Sequence, residues 1–247
     1  MLEELLIASA AKMGLTISKA QCAQLERYRD MLERANAQFN LTRIPADDQE
    51  FIDRNVLDCI SPLCSERWQN VRYAADVGSG AGFPGIPLAI MRPDVRFVLM
   101  EALDKRVKFL QAVIDELSLN AEAVHGRAEV FGQDGVYREQ FDLAVSRAVA
   151  PVNILCEFLL PLVKPEGWML ALKGPGAQEE LNQAEGAIAL LGGDRTFIEP
   201  VSIPERDWRH CLLWTHKGAQ TPQGYPRRAG IPEKRPLSAP KSSASPR

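Results

Sequence analysis

Asp76-Val77-Gly78-Ser79-Gly80-Ala81-Gly82 stands between an apolar run and a stretch of helical spacing. Glycines at a strand-to-helix turn permit a sharp reversal and let a ligand reach the backbone with no Cβ in the way. The run is not the G-x-G-x-x-G of a dinucleotide fingerprint, because the sixth position counted from Gly78 is Phe83. An acid two residues before the first glycine suits a ligand with a cationic amino-acid end better than a pyrophosphate. Taken alone, the turn serves tight strand-to-helix packing equally well. Glu101 lies 23 residues after Gly78, where acids commonly bind ribose hydroxyls; its other role there is to cap the helix that starts near Lys105. Phe83 and Leu103 either sandwich an adenine or belong to the core. Gly126-Arg127-Ala128-Glu129 offers a backbone N–H at Ala128 or Glu129, and a carboxylate, to read that base.

These residues need a scaffold that brings them to one place. The pattern predicts strands over 73–77, 95–100, 121–125, 141–145 and 167–173, with helices at 87–91, 105–117 and 151–162 between them. Strands and helices alternating at this spacing make an α/β fold with a doubly wound, mostly parallel sheet, whose strand ends converge on one crevice. Two further strands, 198–203 and 210–216, are expected as a hairpin at one edge. Before the sheet, Ser18 and Gln21 form a capping box for a helix over 18–37, flanked by a short helix at Leu2–Ala10 and another after Pro45. The chain thus divides into a helical extension at 1–65, a core at 66–217 and a basic, Pro-rich tail at 218–247 that is expected to be flexible.

Composition narrows the function classes. The 247 residues are 46% hydrophobic and 25% charged, which excludes collagenous and fully disordered chains. No apolar run is long enough to span a membrane, and the acidic start does not resemble a signal peptide. Five scattered cysteines with no C-x-x-C pair argue against a disulfide framework or zinc site, so no metal is expected and a reducing cytoplasm is the natural compartment. The net charge of −3 conceals an asymmetry: residues 217–247 hold seven Lys/Arg against one acid, with six prolines. Such a tail is either an arm that reaches for a polyanion or a solubilising end.

At this point a resemblance becomes visible. Asp76 to Leu88, continuing through Phe83-Pro84-Gly85-Ile86-Pro87, resembles the glycine motif of the GidB/RsmG methyltransferases. Asn40-Leu41-Thr42, Lys105 to Leu110, Gly126 to Glu129, Ser146-Arg147-Ala148, Leu172-Lys173-Gly174 and Tyr225 to Gly230 extend the likeness in one order along the chain. The resemblance implies a Rossmann-like class I methyltransferase that uses S-adenosylmethionine, releases S-adenosylhomocysteine and methylates N7 of a guanine in bacterial 16S ribosomal RNA. By position, Gly78, Phe83, Ala128, Glu129 and Arg147 match the family's cofactor contacts. Gly80, Glu101 and Leu103 complete the expected cofactor set. One departure stands out: the family's Arg-His-x-Leu-Asp-Ser is here Arg54-Asn55-Val56-Leu57-Asp58-Cys59, so a histidine and a serine are replaced.

The fourth strand is followed by Ser146-Arg147-Ala148, not by the Asp/Asn-Pro-Pro-aromatic run expected for methylation of an exocyclic amine. Guanine N7 carries an in-plane lone pair and no proton, so alignment can replace a general base. Arg147 and Lys173, at the ends of strands four and five, are the candidates to position the base, Lys173 by a base contact or a phosphate contact. The RNA-binding candidates are Arg54, Lys105, Arg106, Arg127, Lys173, Tyr225, Arg227 and Arg228. For Lys105 and Arg106 individually, a solvated helix face is the first reading and an RNA contact the second. The partner implied is 16S RNA, the small ribosomal subunit or an assembly intermediate, bound by a monomer. Two rivals are a class I methyltransferase for another substrate and a non-enzymatic assembly factor that binds RNA. If the tail is an RNA arm, removing residues 221–247 weakens RNA binding and leaves cofactor affinity unchanged.

Overall fold

The computed structural model describes residues 2–38 and 41–237; Asn40 and the end of the tail, 238–247, lie outside them. Seven strands, β1 (Tyr73–Val77), β2 (Arg96–Glu101), β3 (Ala121–His125), β4 (Phe141–Arg147), β5 (Val163–Lys173), β6 (Gly193–Val201) and β7 (His210–Lys217), form one sheet in the order β3-β2-β1-β4-β5-β7-β6. β1 to β5 run parallel, whereas β7 is antiparallel to both β5 and β6. The expected hairpin exists, but its second strand is inserted between the first and the parallel core. Val77, Glu101, His125, Arg147 and Lys173 all terminate strands at the same edge.

Alternation along the strands splits the core between two faces. Ala74, Phe97, Leu99, Leu143 and Val145 belong to one apolar cluster, and Ala75, Val98, Met100 and Ala144 to the other. The first face is covered by α1 (Leu2–Lys12), α2 (Lys19–Gln38), α3 (Asp48–Phe51), a π-helical turn at Ile52–Leu57, α4 (Asp58–Ile60), α5 (Gly85–Met91) and α6 (Asp104–Leu117). The N-terminal helices therefore complete a layer of the sheet: Leu25, Tyr28, Leu32, Phe51 and Leu57 are buried in the same cluster as β1, β2 and β4. Ser18 and Gln21 cap α2 reciprocally, at 2.9 and 3.3 Å. The second face is covered by α7 (Ala128–Phe131), α8 (Val152–Leu159) and α9 (Ala177–Leu190). α9 has no counterpart in the sequence reading. Its inward positions are mostly alanines, and Gly186 interrupts it, so the hydrophobic contrast that marks a helix is weak.

The tail departs most from its composition. Thr221, Pro226 and Pro232 are buried, and a last turn, α10 (Ile231–Lys234), closes the described chain. The prolines pair with no strand; their carbonyls, and their neighbours', accept from core side chains instead. Arg138 donates to the carbonyls of Thr221 (2.7 Å) and Tyr225 (2.6 Å), and Gln133 Nε2 to that of Pro226 (2.7 Å). Lys217, wholly buried, donates to Leu160 O and Thr221 Oγ1, both at 2.5 Å. Arg227 makes a forked pair with Glu157 of α8, with contacts of 2.6, 2.8 and 3.1 Å.

Glu157 is fully buried, so this pair holds a charge that has no access to water. Arg227→Ala would leave it only the Arg227 amide, at 2.7 Å. Loss of one partner of a buried pair costs about 3 kcal/mol, and urea unfolding followed by circular dichroism should show that loss. Arg228→Ala, at an exposed neighbour, should change stability by less than about 0.5 kcal/mol.

Candidate active site

The glycine turn leaves β1 in a backbone conformation that side chains resist. Gly78 has φ +74°, and a Cβ there would sit 2.5 Å from Val149 Cγ2. Val149 reaches this position because Ala148, with φ +57°, turns the chain sharply after Arg147. Gly85, the first residue of α5, is required for a different reason: a Cβ would meet Asp76 Oδ2 at 2.5 Å. With that Cβ absent, Gly85 N donates to Asp76 Oδ2 at 3.0 Å. The other carboxylate oxygen, Oδ1, is buried with no partner among the described residues. Burial pushes the Asp76 carboxyl up to about 7.

Two more acids line this edge of the sheet. Glu101, buried at the end of β2, accepts from Gly80 N through Oε2 and from Leu103 N through Oε1, both at 2.9 Å. It thereby ties the glycine turn to the β2–α6 loop, and each oxygen retains a second lone pair for a hydroxyl. Glu129, buried in the single turn of α7, accepts from Gly230 N at 2.8 Å. Phe83 and Leu103 do not form a matched sandwich. Leu103 is 52% exposed, whereas Phe83 is 5% exposed and packs its ring on Tyr28, 5.5 Å between centroids.

The other side of Phe83 leads to the second half of the site. Arg147 lies over the Phe83 ring at 5.0 Å and donates to Arg54 O (2.8 Å) and Asp58 Oδ2 (3.2 Å). Asp58 Oδ1 meets His210 Nδ1 at 2.8 Å, and this contact raises the histidine above its ordinary value. Arg147, His210 and Lys173 line a cavity of about 710 Å³ together with Thr42, Asn55 and Gly174. Lys173 Nζ is held by Glu180 Oε2 (2.6 Å) and Ala150 O (2.8 Å). Asn55 Oδ1 is buried at the cavity wall with no partner among the described residues.

Of the sequence candidates, Arg54, Arg147 and Lys173 share this cavity. Arg54 also pairs with Glu50 and stacks over Trp208 at 4.5 Å. Lys105, Arg106 and Arg127 follow β2 and β3, on the half of the edge that carries Glu101; Arg106 lies 3.7 Å from Glu101. Tyr225 and Arg227 are packed on the α8 side, and Arg228 is exposed. His210 was not among the candidates, and Asn55 and Asp58 were noted only as part of a divergent motif. The usable signal was their three-residue spacing on a helical stretch, which puts both side chains on one face. Among the described residues, no cluster of three or more His, Cys, Asp or Glu is placed to hold a metal, and no helix is long and apolar enough to cross a membrane.

Strand order, glycine turn and acidic edge define the fold of class I S-adenosylmethionine methyltransferases. Solved structures agree: a cofactor-bound protein from MTB superposes with TM-score 0.55 at 17% identity, covering 80% of this chain and 91% of that one. The S-adenosylmethionine-dependent methyltransferase SibL, in its apo form, gives 0.52 at 14% identity, covering 79% and 70%. The chain belongs to the GidB family, rRNA small subunit methyltransferase G, whose model matches residues 21–208. Ribosomal RNA small subunit methyltransferase G of Clostridium perfringens is 40% identical over 235 residues, 95% of this chain and 98% of that one. Its counterpart in Alkaliphilus oremlandii is 42% identical over 237 residues, 96% and 99%.

The state of Asp76 has a measurable consequence. Its folded value, about 7, lies above the ordinary 3.8, so the free chain favours the protonated carboxyl. The stability this group contributes is full below about pH 4 and is lost as pH rises through about 7. Asp76→Asn cannot ionise. Its unfolding free energy should therefore exceed that of the parent increasingly between about pH 4 and 7, levelling at roughly 2–4 kcal/mol. Denaturant titrations across that range check this, and parallel curves would refute it.

Proposed function

We propose that this chain transfers a methyl group from S-adenosylmethionine to N7 of a guanine in 16S ribosomal RNA. The observation that carries the reading is the placement of Arg147, which lies over Phe83 of the glycine turn while lining the cavity at the ends of β4 and β5. It joins a crevice suited to the cofactor with a cavity suited to a base.

The residues present fit the cofactor. Asp76 has a buried oxygen with no partner among the described residues, matched to an ammonium directly or through water, and Gly78 supplies backbone without a side chain. Glu101 suits ribose hydroxyls, and the Ala128 amide with Glu129 suits an adenine edge. When bound, the cofactor supplies an electrophilic methyl group on a sulfonium centre. The chain's part is alignment. Arg147 and Lys173 present cations at the cavity, where a donor to guanine O6 fixes the base and leaves the N7 lone pair free. N7 has no proton to lose, so no side chain has to act as a base. Asp58 aims Arg147 and His210 into the cavity from one carboxylate. Exposed Arg54, Arg127, Arg228, Lys234 and Arg235 supply phosphate contacts of the salt-sensitive kind. The substrate is then 16S RNA in the small subunit or a precursor of it, met in the cytoplasm by a monomer.

The deciding experiment incubates the purified chain with S-adenosylmethionine and small subunits from cells that lack it, then maps 16S fragments by mass spectrometry. One 7-methylguanosine is expected. Methylation of another base, of protein or of nothing would refute the reading. In a pre-bound complex the single-turnover rate should be nearly flat from roughly pH 6.5 to 8.5; a one-proton rise would show that a base is required. Asp58→Asn should lower that rate by about tenfold to a hundredfold through misplacement of Arg147 and His210. S-adenosylhomocysteine affinity should fall by a smaller factor than the rate in calorimetry, since Asp58 reaches the cofactor side only through Arg147.

A further inference from the structure

Glu129 sits in a four-residue helix and is 4% exposed, yet only one of its oxygens has a protein partner. That partner is the amide of Gly230, 101 residues further along the chain, in a left-handed conformation at φ +78°. Oε2 has no hydrogen-bond partner among the described residues. It is therefore the oxygen left open to a donor from outside the protein, water or a ligand.

The segment that carries Gly230 is fastened to the same small region as Glu129. Gln133, two residues past α7, donates to Pro226 O, and Arg138 donates to Tyr225 O and also to Gly132 O. Pro226 lies so close to Gly132 that a Cβ there would meet Pro226 Cγ at 2.7 Å. Arg227 locks the segment to Glu157 on the next helix. Residues 225–230 thus cross the turn that follows β3 and present one amide to the carboxylate inside it. Without the strap, Glu129 would lose its only donor among the described residues and the contact that selects its rotamer.

We infer that the Tyr225–Gly230 strap is a positioning element of the cofactor site, orienting Glu129 so that its free oxygen accepts from the exocyclic amine of adenine. This inference rests on the cofactor reading above. A carboxylate accepts from the 6-amino group of adenine and repels the 6-oxo group of hypoxanthine, so the strap sets purine selection. It also reverses the expectation that the tail can be removed without effect on the cofactor.

Calorimetry on the full chain, with S-adenosylhomocysteine and its 6-oxo counterpart S-inosylhomocysteine, tests this. Wild type should prefer the adenine ligand, and Glu129→Ala should abolish the preference. Arg227→Gln and the milder Gln133→Ala loosen the strap; in protein shown to be folded by circular dichroism, Arg227→Gln should reduce the preference by about tenfold. In the Glu129→Ala background, neither change should reduce it further, and in the wild-type background Lys19→Gln, at the exposed start of α2, should leave it intact. Folded strap variants that keep the full preference, or that weaken both ligands equally, would overturn the proposal. If Glu129→Ala loses the preference and the strap variants do not, the strap alone fails. If Glu129→Ala changes neither affinity, or wild type binds neither ligand, the cofactor reading fails and the strap falls with it.

Discussion

A carboxylate removed from water must be matched by donors, and Asp58 is matched by two that arrive from separate parts of the chain. Arg147 comes from the end of β4 and His210 from the start of β7, so one side chain of the N-terminal helices gathers two strand ends. Removing any of the three leaves a charge or a donor partly buried and unpaired, which is costly in a low-dielectric setting. The neighbouring π-helical turn buries Asp53 and Asn55 beside it, and Asp53 takes Arg206 at 2.7 Å. This wall is built from polar groups that satisfy one another, with Asn55 Oδ1 the exception. The helices that composition sets apart from the sheet are therefore part of the site.

What the sequence reveals and conceals follows from the range of each interaction. The strands at Tyr73–Val77 and Ala121–His125 are legible to the residue because local alternation and flanking turns define them. The same holds for the cap of α2, whose partners are three residues apart, and the glycine turn is marked by its residue types alone. α9 is lost because alanine gives little contrast between faces. The insertion of β7 beside β5 is set by pairing such as Lys173 with Cys211, which leaves no trace in either strand alone. His210 was read only as the start of a strand, because its meaning depends on Asp58, 152 residues earlier. The hold on the tail is hidden for a related reason: its prolines and arginines look solvated by composition, and only Glu157 and Arg138, far off in sequence, show what holds them.

The placement of charge changes what the basic residues can do. Lys217 and Arg227 belong to the positive tail by count, but each is spent on a buried partner within the fold. Lys173 and Arg147 likewise face carboxylates as well as the cavity. Their fields are partly neutralised before any polyanion arrives, so attraction at a distance falls to exposed residues such as Arg127 and Arg228. Positioning at close range is left to cations whose geometry is already fixed. This division between steering and placement suits a reaction in which alignment is the main requirement.

The position of β7 inside the sheet has a consequence for how the molecule comes into being. A chain emerging from its N-terminus can assemble β1 to β5 early, but the groove beside β5 stays open until residues 210–217 have been made. His210 enters with that strand, and Gly230 follows it to Glu129. Both halves of the site are thus completed by segments made after the whole parallel core. A nascent or prematurely ended chain, however much of its sheet it has formed, carries the glycine turn without the groups that close the site around it.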